Sequence, residues 1–170
     1  MTVLGTLTRG VVAGVVATAV KSQAEAVLQP AAEKLLPPSD AAKARPGADP
    51  AGHPERMPPA ELVETAVHAA TGSHVSDDTA EQSAELVHWA MGVGSAVLYA
   101  AARERVPALG RGRGALFGAV VFGATHATLL PAAGLQAPLH RLPRAALVWE
   151  PVSHLVYGLA VDLSLRGTRH

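Results

Sequence analysis

The chain has 170 residues, enough for one domain with its own core, and its 14 basic and 14 acidic side chains give a formal net charge of zero. That balance, with no stretch interleaving aromatics and Lys or Arg, excludes a nucleic-acid binder, and the lack of cysteine excludes disulfides and thiolate chemistry. Charged residues make up only 16%, against roughly 25% in soluble domains, and the apolar content is gathered into blocks.

Four weakly charged stretches, at about 10–28, 84–102, 114–130 and 143–165, are predicted helices. Each has about the 20 residues that an α-helix needs to cross roughly 30 Å of hydrocarbon. The first carries Lys21 and Glu25 and the fourth carries Glu150 and His154, so the second and third rank above them. Between the first and second, residues 29–83 are rich in proline and charge, and read as a loop unable to bury enough surface to fold tightly. Within it, PPAELVETAVHAATG (58–72) predicts a short helix at about 59–71. Proline opens it, Glu61 and Glu64 fill its early turns, Leu62, Val63, Ala66 and Val67 form an apolar stripe, and Gly72 ends it. Ser76 to Thr79 then supply a start signal for the second long stretch. His53, His68 and His74 in this connection read as solvated side chains, with a weak metal contact as the alternative.

A soluble bundle would show a polar face on each helix. Residues 114–130 have none, since Thr125, His126 and Thr128 are their only polar side chains. Glycine costs about 1 kcal/mol in a water-exposed helix, whereas in membranes small residues let backbones approach closely. Gly10, Gly14, Gly92, Gly114, Gly118 and Gly123 are therefore read as helix-packing residues, with Gly10/Gly14 and Gly114/Gly118 in the Gly-x-x-x-Gly spacing. The fold class expected is all-α: a four-helix transmembrane bundle with a Pro-rich extramembrane insertion between its first two helices. A cleaved signal peptide is the alternative for the N-terminus; Lys21 directly after the apolar run, with no small-x-small cleavage site, argues against it. Arg103, Arg105, Arg111, Arg113, Arg166 and Arg169 put both termini and the second connection in the cytoplasm, with Arg141 and Arg144 as the contrary evidence.

Four alternating crossings have a further consequence. At about 1.5 Å per residue, Lys21, Glu25, His88, His126, Glu150 and His154 all fall in the same half of the bilayer. Trp89 and Trp149 belong near that surface, where indoles sit well among headgroups. Charged groups in hydrocarbon face the bundle interior and pair, and the spacings Lys21/Glu25 and Glu150/His154 are both i, i+4. Pro151 frees the carbonyl of Leu147 as a further acceptor. The first reading of this polar level is structural: hydrogen bonds and an ion pair that fix helix register. The second is a site for protons, a cation or a small polar ligand. The third is a metal or haem held by His88, His126 and His154, though no local ligand motif supports it. Hydrolytic catalysis is weakest, since Ser153 and His154 are sequence neighbours and no nucleophile elbow is present.

Several phrases together, GVVAGVVATAVK-SQAE (10–25), VHWAMGVGSAVLYA (87–100), GRGALFGAVVFGATHATLLPAAGLQAP (112–138) and SHLVYGLAVDL (153–163), carry a resemblance. The chain resembles the YagU-like family of small bacterial inner-membrane proteins of unknown function. The resemblance spans nearly the whole chain and implies a multi-pass inner-membrane protein, but no reaction. The expectation is thus a non-enzymatic structural or interaction module of the cell envelope, without a cofactor. Its partners are the lipid bilayer and either a second copy or an envelope protein. A permease-like conduit is the alternative.

Overall fold

Thr2 opens the longest helix, its hydroxyl accepting the Gly5 N–H at 3.2 Å in the manner of an N-cap. The computed structural model describes residues 2–49, 52 and 56–167, and no strand occurs among them. His53 and His170 lie outside the described residues. Helix α1 runs Val3–Leu35 and passes both ends of the apolar run, with Pro30 inside its last turns. Ser39 caps a single turn, α2 (Asp40–Lys43). Helix α3 spans Pro58–Thr71 and ends on Gly72 in the left-handed conformation. Helix α4 spans Asp77–Arg105, capped by Ser76, whose hydroxyl accepts the Thr79 N–H at 3.3 Å. A 3-10 segment, Pro107–Gly114, leads into α5 (Ala115–Ala124). A π turn over Thr125–Leu129 and a last short turn, α6 (Leu130–Ala132), continue it. Helix α7 spans Ala146–Gly167 with Pro151 inside.

Helix α1 packs against both α4 and α7, α7 also packs against α5, and α3 lies on α4. Many of the residues the helices bury are small or polar, around a core of Tyr99, Tyr157, Val161 and Leu165. In α1 the buried positions are Thr6, Gly10, Ala13, Gly14, Ala17, Thr18 and Lys21, while Val11, Val12, Val15, Val16 and Val20 between them stay exposed. Helix α7 buries Ser153, His154, Gly158 and Asp162 together with Trp149, Tyr157, Val161 and Leu165, and exposes Leu147, Val148, Leu159 and Leu163. Leu98 on α4 is 71% exposed and Leu116 on α5 is 59% exposed.

The absence of side chains sets the helix separations. A Cβ on Gly10 would sit 2.8 Å from Val97 Cα, and one on Gly14 would sit 2.7 Å from Val93 Cα, so α1 and α4 touch backbone to backbone. Gly92 likewise faces the Thr18 hydroxyl. Gly114 and Gly118 lie against the carbonyls of Gly158 and His154 and bring α5 onto α7. Gly123 takes no part: a Cβ there would meet nothing within 4 Å. Its backbone is engaged instead, because its carbonyl accepts the Thr128 hydroxyl across the π turn at 2.8 Å.

Two other expectations are corrected. The Pro-rich connection is not loose throughout. Ala137 N–H donates to Pro46 O at 2.9 Å, Arg45 reaches Arg141 O, and Gly47 and Ala48 are buried. Trp149 is not a headgroup anchor, being 6% exposed in a cluster with Ala32, Ala48, Ala137, Leu142, Ala145 and Ala146. That small-residue cluster needs one large ring to fill it, and the returning loop covers the ring. Among the described residues, two helical stretches are long and apolar enough to cross a membrane, Val3–Leu35 and Gly112–Ala132. The second stretch therefore ranks lower than its sequence suggested, its apolar run being diluted by His88, Trp89, Gly92, Gly94, Ser95 and Tyr99. The first ranks higher because its helix extends far enough toward the N-terminus to offer an apolar window largely free of charge.

Candidate functional site

Helix register in α1 puts Lys21 and Glu25 one turn apart, and the two side chains form an ion pair. Lys21 is 8% exposed overall, so the pair is made inside the helical packing. Glu25 Oε1 also accepts the Ser153 hydroxyl of α7 at 3.2 Å. Ser153 is fully buried and lies within hydrogen-bond reach of Glu150 O as well, at 2.9 Å. His88 on α4 is half-buried and within electrostatic reach of Lys21 and Glu25.

The third helical stretch reaches this level through its π turn. Pro131 has no N–H to give, and Leu130 N–H bonds back to Thr125 O instead of keeping α-helical spacing. His126 sits in that widened turn, Nδ1 2.9 Å from Gln136 Oε1 and 3.4 Å from Glu150 Oε2. Gly134 (φ 75°) reverses the chain after Ala133, and Gln136, 2% exposed, returns to the same level. His154 turns its Nδ1 to Glu150 O at 2.8 Å. Its ring meets His126 edge to face with centroids 5.0 Å apart, and Phe122 contacts both rings. Glu150 is 4% exposed, and its Oε2 and Gln136 Nε2 lack a hydrogen-bond partner.

Contacts between helices thus join Lys21 and Glu25 to Ser153 and bring His126, Glu150 and His154 together, whereas His88 lies near Lys21 and Glu25. Two small cavities, of about 20 and 10 Å³, lie elsewhere, beside Arg9 and Arg103 and beside Arg45 and Met57. The i, i+4 pairing expected between the Glu150 carboxylate and the His154 ring is replaced. The ring bonds the backbone carbonyl, and the carboxylate faces His126. Nor do His88, His126 and His154 form a three-donor metal group among the described residues. Ser153 and His154 are both buried and both turn to the Glu150 carbonyl, with no hydrogen bond between the two side chains among the described residues, so they do not form a nucleophile and base pair.

A second cluster at the opposite end escaped the sequence reading. Asp162 is 1% exposed and pairs with Arg103 of α4 and, at 2.6 Å, with Arg166 Nε. The Tyr99 hydroxyl lies 3.2 Å from Asp162 Oδ1. Its spacing from Arg166, i to i+4 in an otherwise apolar helix, was the available signal. Gln136 offered none, because its place depends on a reversal at Gly134 that helix counting does not follow.

A family model matches residues 15–163, which includes every member of the first cluster and Asp162 of the second. The chain belongs to the DUF1440 family, described as proteins of unknown function. No curated protein and no solved structure matches it. In this DUF1440 chain both clusters tie α7 to its neighbours, Ser153 reaching α1 and Asp162 reaching α4.

Proposed function

We propose that the chain is a non-enzymatic, multi-pass protein of the bacterial inner membrane. In this reading its four long helical stretches cross the bilayer, and the Lys21–His154 cluster locks their register. The carrying observation is the packing: Gly, Ala, Ser, Thr and paired charges are buried beside a few large side chains such as Tyr99, Tyr157 and Val161, while Val or Leu side chains stand exposed on all four stretches. Water gives such an exterior no stability, whereas lipid accepts it and leaves close backbone contact and hydrogen bonding to hold helices together. The resemblance to YagU-like inner-membrane proteins agrees with this, and the functional role follows as a structural or interaction module of the envelope. Its partners are the bilayer and a second copy or envelope protein, with no cofactor required. The basic ends beside Arg103 and Arg166 favour cytoplasmic termini and an outward-facing α3.

The natural lack of cysteine makes the test direct. Ser73→Cys and Ala108→Cys are expected to label with impermeant maleimide from opposite faces of oriented vesicles, in protein that resists carbonate extraction. Labelling of both from one face, or recovery in the soluble fraction, overturns the reading.

One observation favours a second reading, a conduit or binding site for protons, cations or a small polar ligand. Glu150 Oε2 is buried without a hydrogen-bond partner, 3.4 Å from His126 Nδ1. In proteoliposomes this reading expects flux that Glu150→Gln or His154→Ala abolishes while the protein stays folded. It ends if flux of protons and of ions never exceeds that of empty liposomes.

A further inference from the structure

The end of α3 carries a side-chain group that neither cluster uses. Glu64 and His68, four residues apart, lie one turn apart on one helix face. Gly72, at φ 73°, closes the helix with its N–H on His68 O at 2.8 Å and turns the chain back. Val75 N–H then donates to Glu64 Oε2 at 2.9 Å. The reversal stacks the His74 ring on His68, centroids 4.5 Å apart, and sets His74 Nδ1 2.5 Å from Glu64 Oε1.

The geometry points to a divalent transition-metal site formed by Glu64, His68 and His74, one ligand atom from each lying within 4.8 Å of the others. Two imidazoles and a carboxylate suit zinc and its neighbours, whereas magnesium and calcium take oxygen ligands. Tetrahedral zinc, with bonds of about 2.0–2.1 Å, spaces its ligand atoms about 3.3 Å apart. His74 Nδ1 and Glu64 Oε1 therefore part by about 0.8 Å when an ion replaces the hydrogen between them, and the His74 ring turns out of its stack on His68 so that both lone pairs face the ion. The His74 side chain is 76% exposed, so it has room to make that move. Val75 N–H holds the other carboxylate oxygen, the kind of outer contact that orients a ligand. The open face leaves the fourth position to water or to a donor from another molecule.

The site is independent of the membrane reading and is tested on the full-length, tag-free, chelator-treated protein in detergent. Titration calorimetry with Zn²⁺ is expected to give one ion per chain, and Co²⁺ a tetrahedral visible spectrum. His68→Ala and His74→Ala each weaken Zn²⁺ binding at least tenfold, since outer-contact losses alone reach that size. The same variants remove the Co²⁺ spectrum, while His140→Ala changes neither. No saturable one-ion binding in the unmodified chain, or equal binding in the His68→Ala/His74→Ala double variant, overturns the site.

Discussion

Ser153 on α7 donates to Glu25 Oε1 on α1 across 3.2 Å, and Glu25 in turn holds Lys21. One hydroxyl thus links α7 to an ion pair that α1 makes within itself. Replacing Ser153 with alanine leaves the carboxylate short of one donor, a loss of about 1–3 kcal/mol for a buried group. Thermal unfolding in detergent should show the loss, and a Ser153→Ala/Glu25→Gln cycle should show that the two changes are not additive. Additive effects would mean the bond contributes nothing.

The Lys21–Glu25 pair makes a sharper prediction. Removing one partner strands a charge inside the packing, which typically costs about 3–5 kcal/mol, whereas an apolar pair of similar volume is often neutral. Glu25→Met alone is therefore expected to be much less stable than Lys21→Met/Glu25→Met, compared by denaturant midpoint. Equal stability of the two variants would place the pair in solvent.

Asp162 should respond in the same way at the other end. It is 1% exposed and holds both Arg103 and Arg166, and the Arg103 side chain is itself only 10% exposed. Asp162→Ala is expected to cost about 3–5 kcal/mol, and Arg103→Met in that background to recover part of it. Circular dichroism melts of the three proteins decide it.

Glycine packing separates two groups of positions by direct substitution. Gly118→Ala places a methyl against the His154 carbonyl and should destabilise by about 1–3 kcal/mol. Gly123→Ala meets nothing within 4 Å and removes backbone freedom from the unfolded chain, so it should be neutral or stabilising by up to about 1 kcal/mol. The order of their melting temperatures is the measurement, and a reversed order would mean that α5 and α7 are not in contact.

Much of the architecture was legible because it is local. Helix content follows from apolar runs, from caps such as Ser76 and from the stop at Gly72, all of which act within one or two turns. Alternation of direction then placed Lys21, Glu25, His88, His126, Glu150 and His154 at one end, since antiparallel rods of known rise fix depth. Depth is not contact, however. Nothing in a helix count says that His126 faces the Glu150 carboxylate while His154 faces its carbonyl. That choice depends on the π turn before Pro131 and on the reversal at Gly134.

By itself the sequence determined which segments are helical, which residues are small enough for backbones to touch, and toward which end of its helix each polar group lies, because these follow from spacing along one chain. Only the tertiary structure decided the partners: Ser153 for Glu25, Gln136 for His126, Arg103 for Asp162, and Glu64 for His74. Each of these is set by a rotation of one element against another or by a turn that changes chain direction, and a hydrogen bond tolerates an error of only a few tenths of an ångström in either.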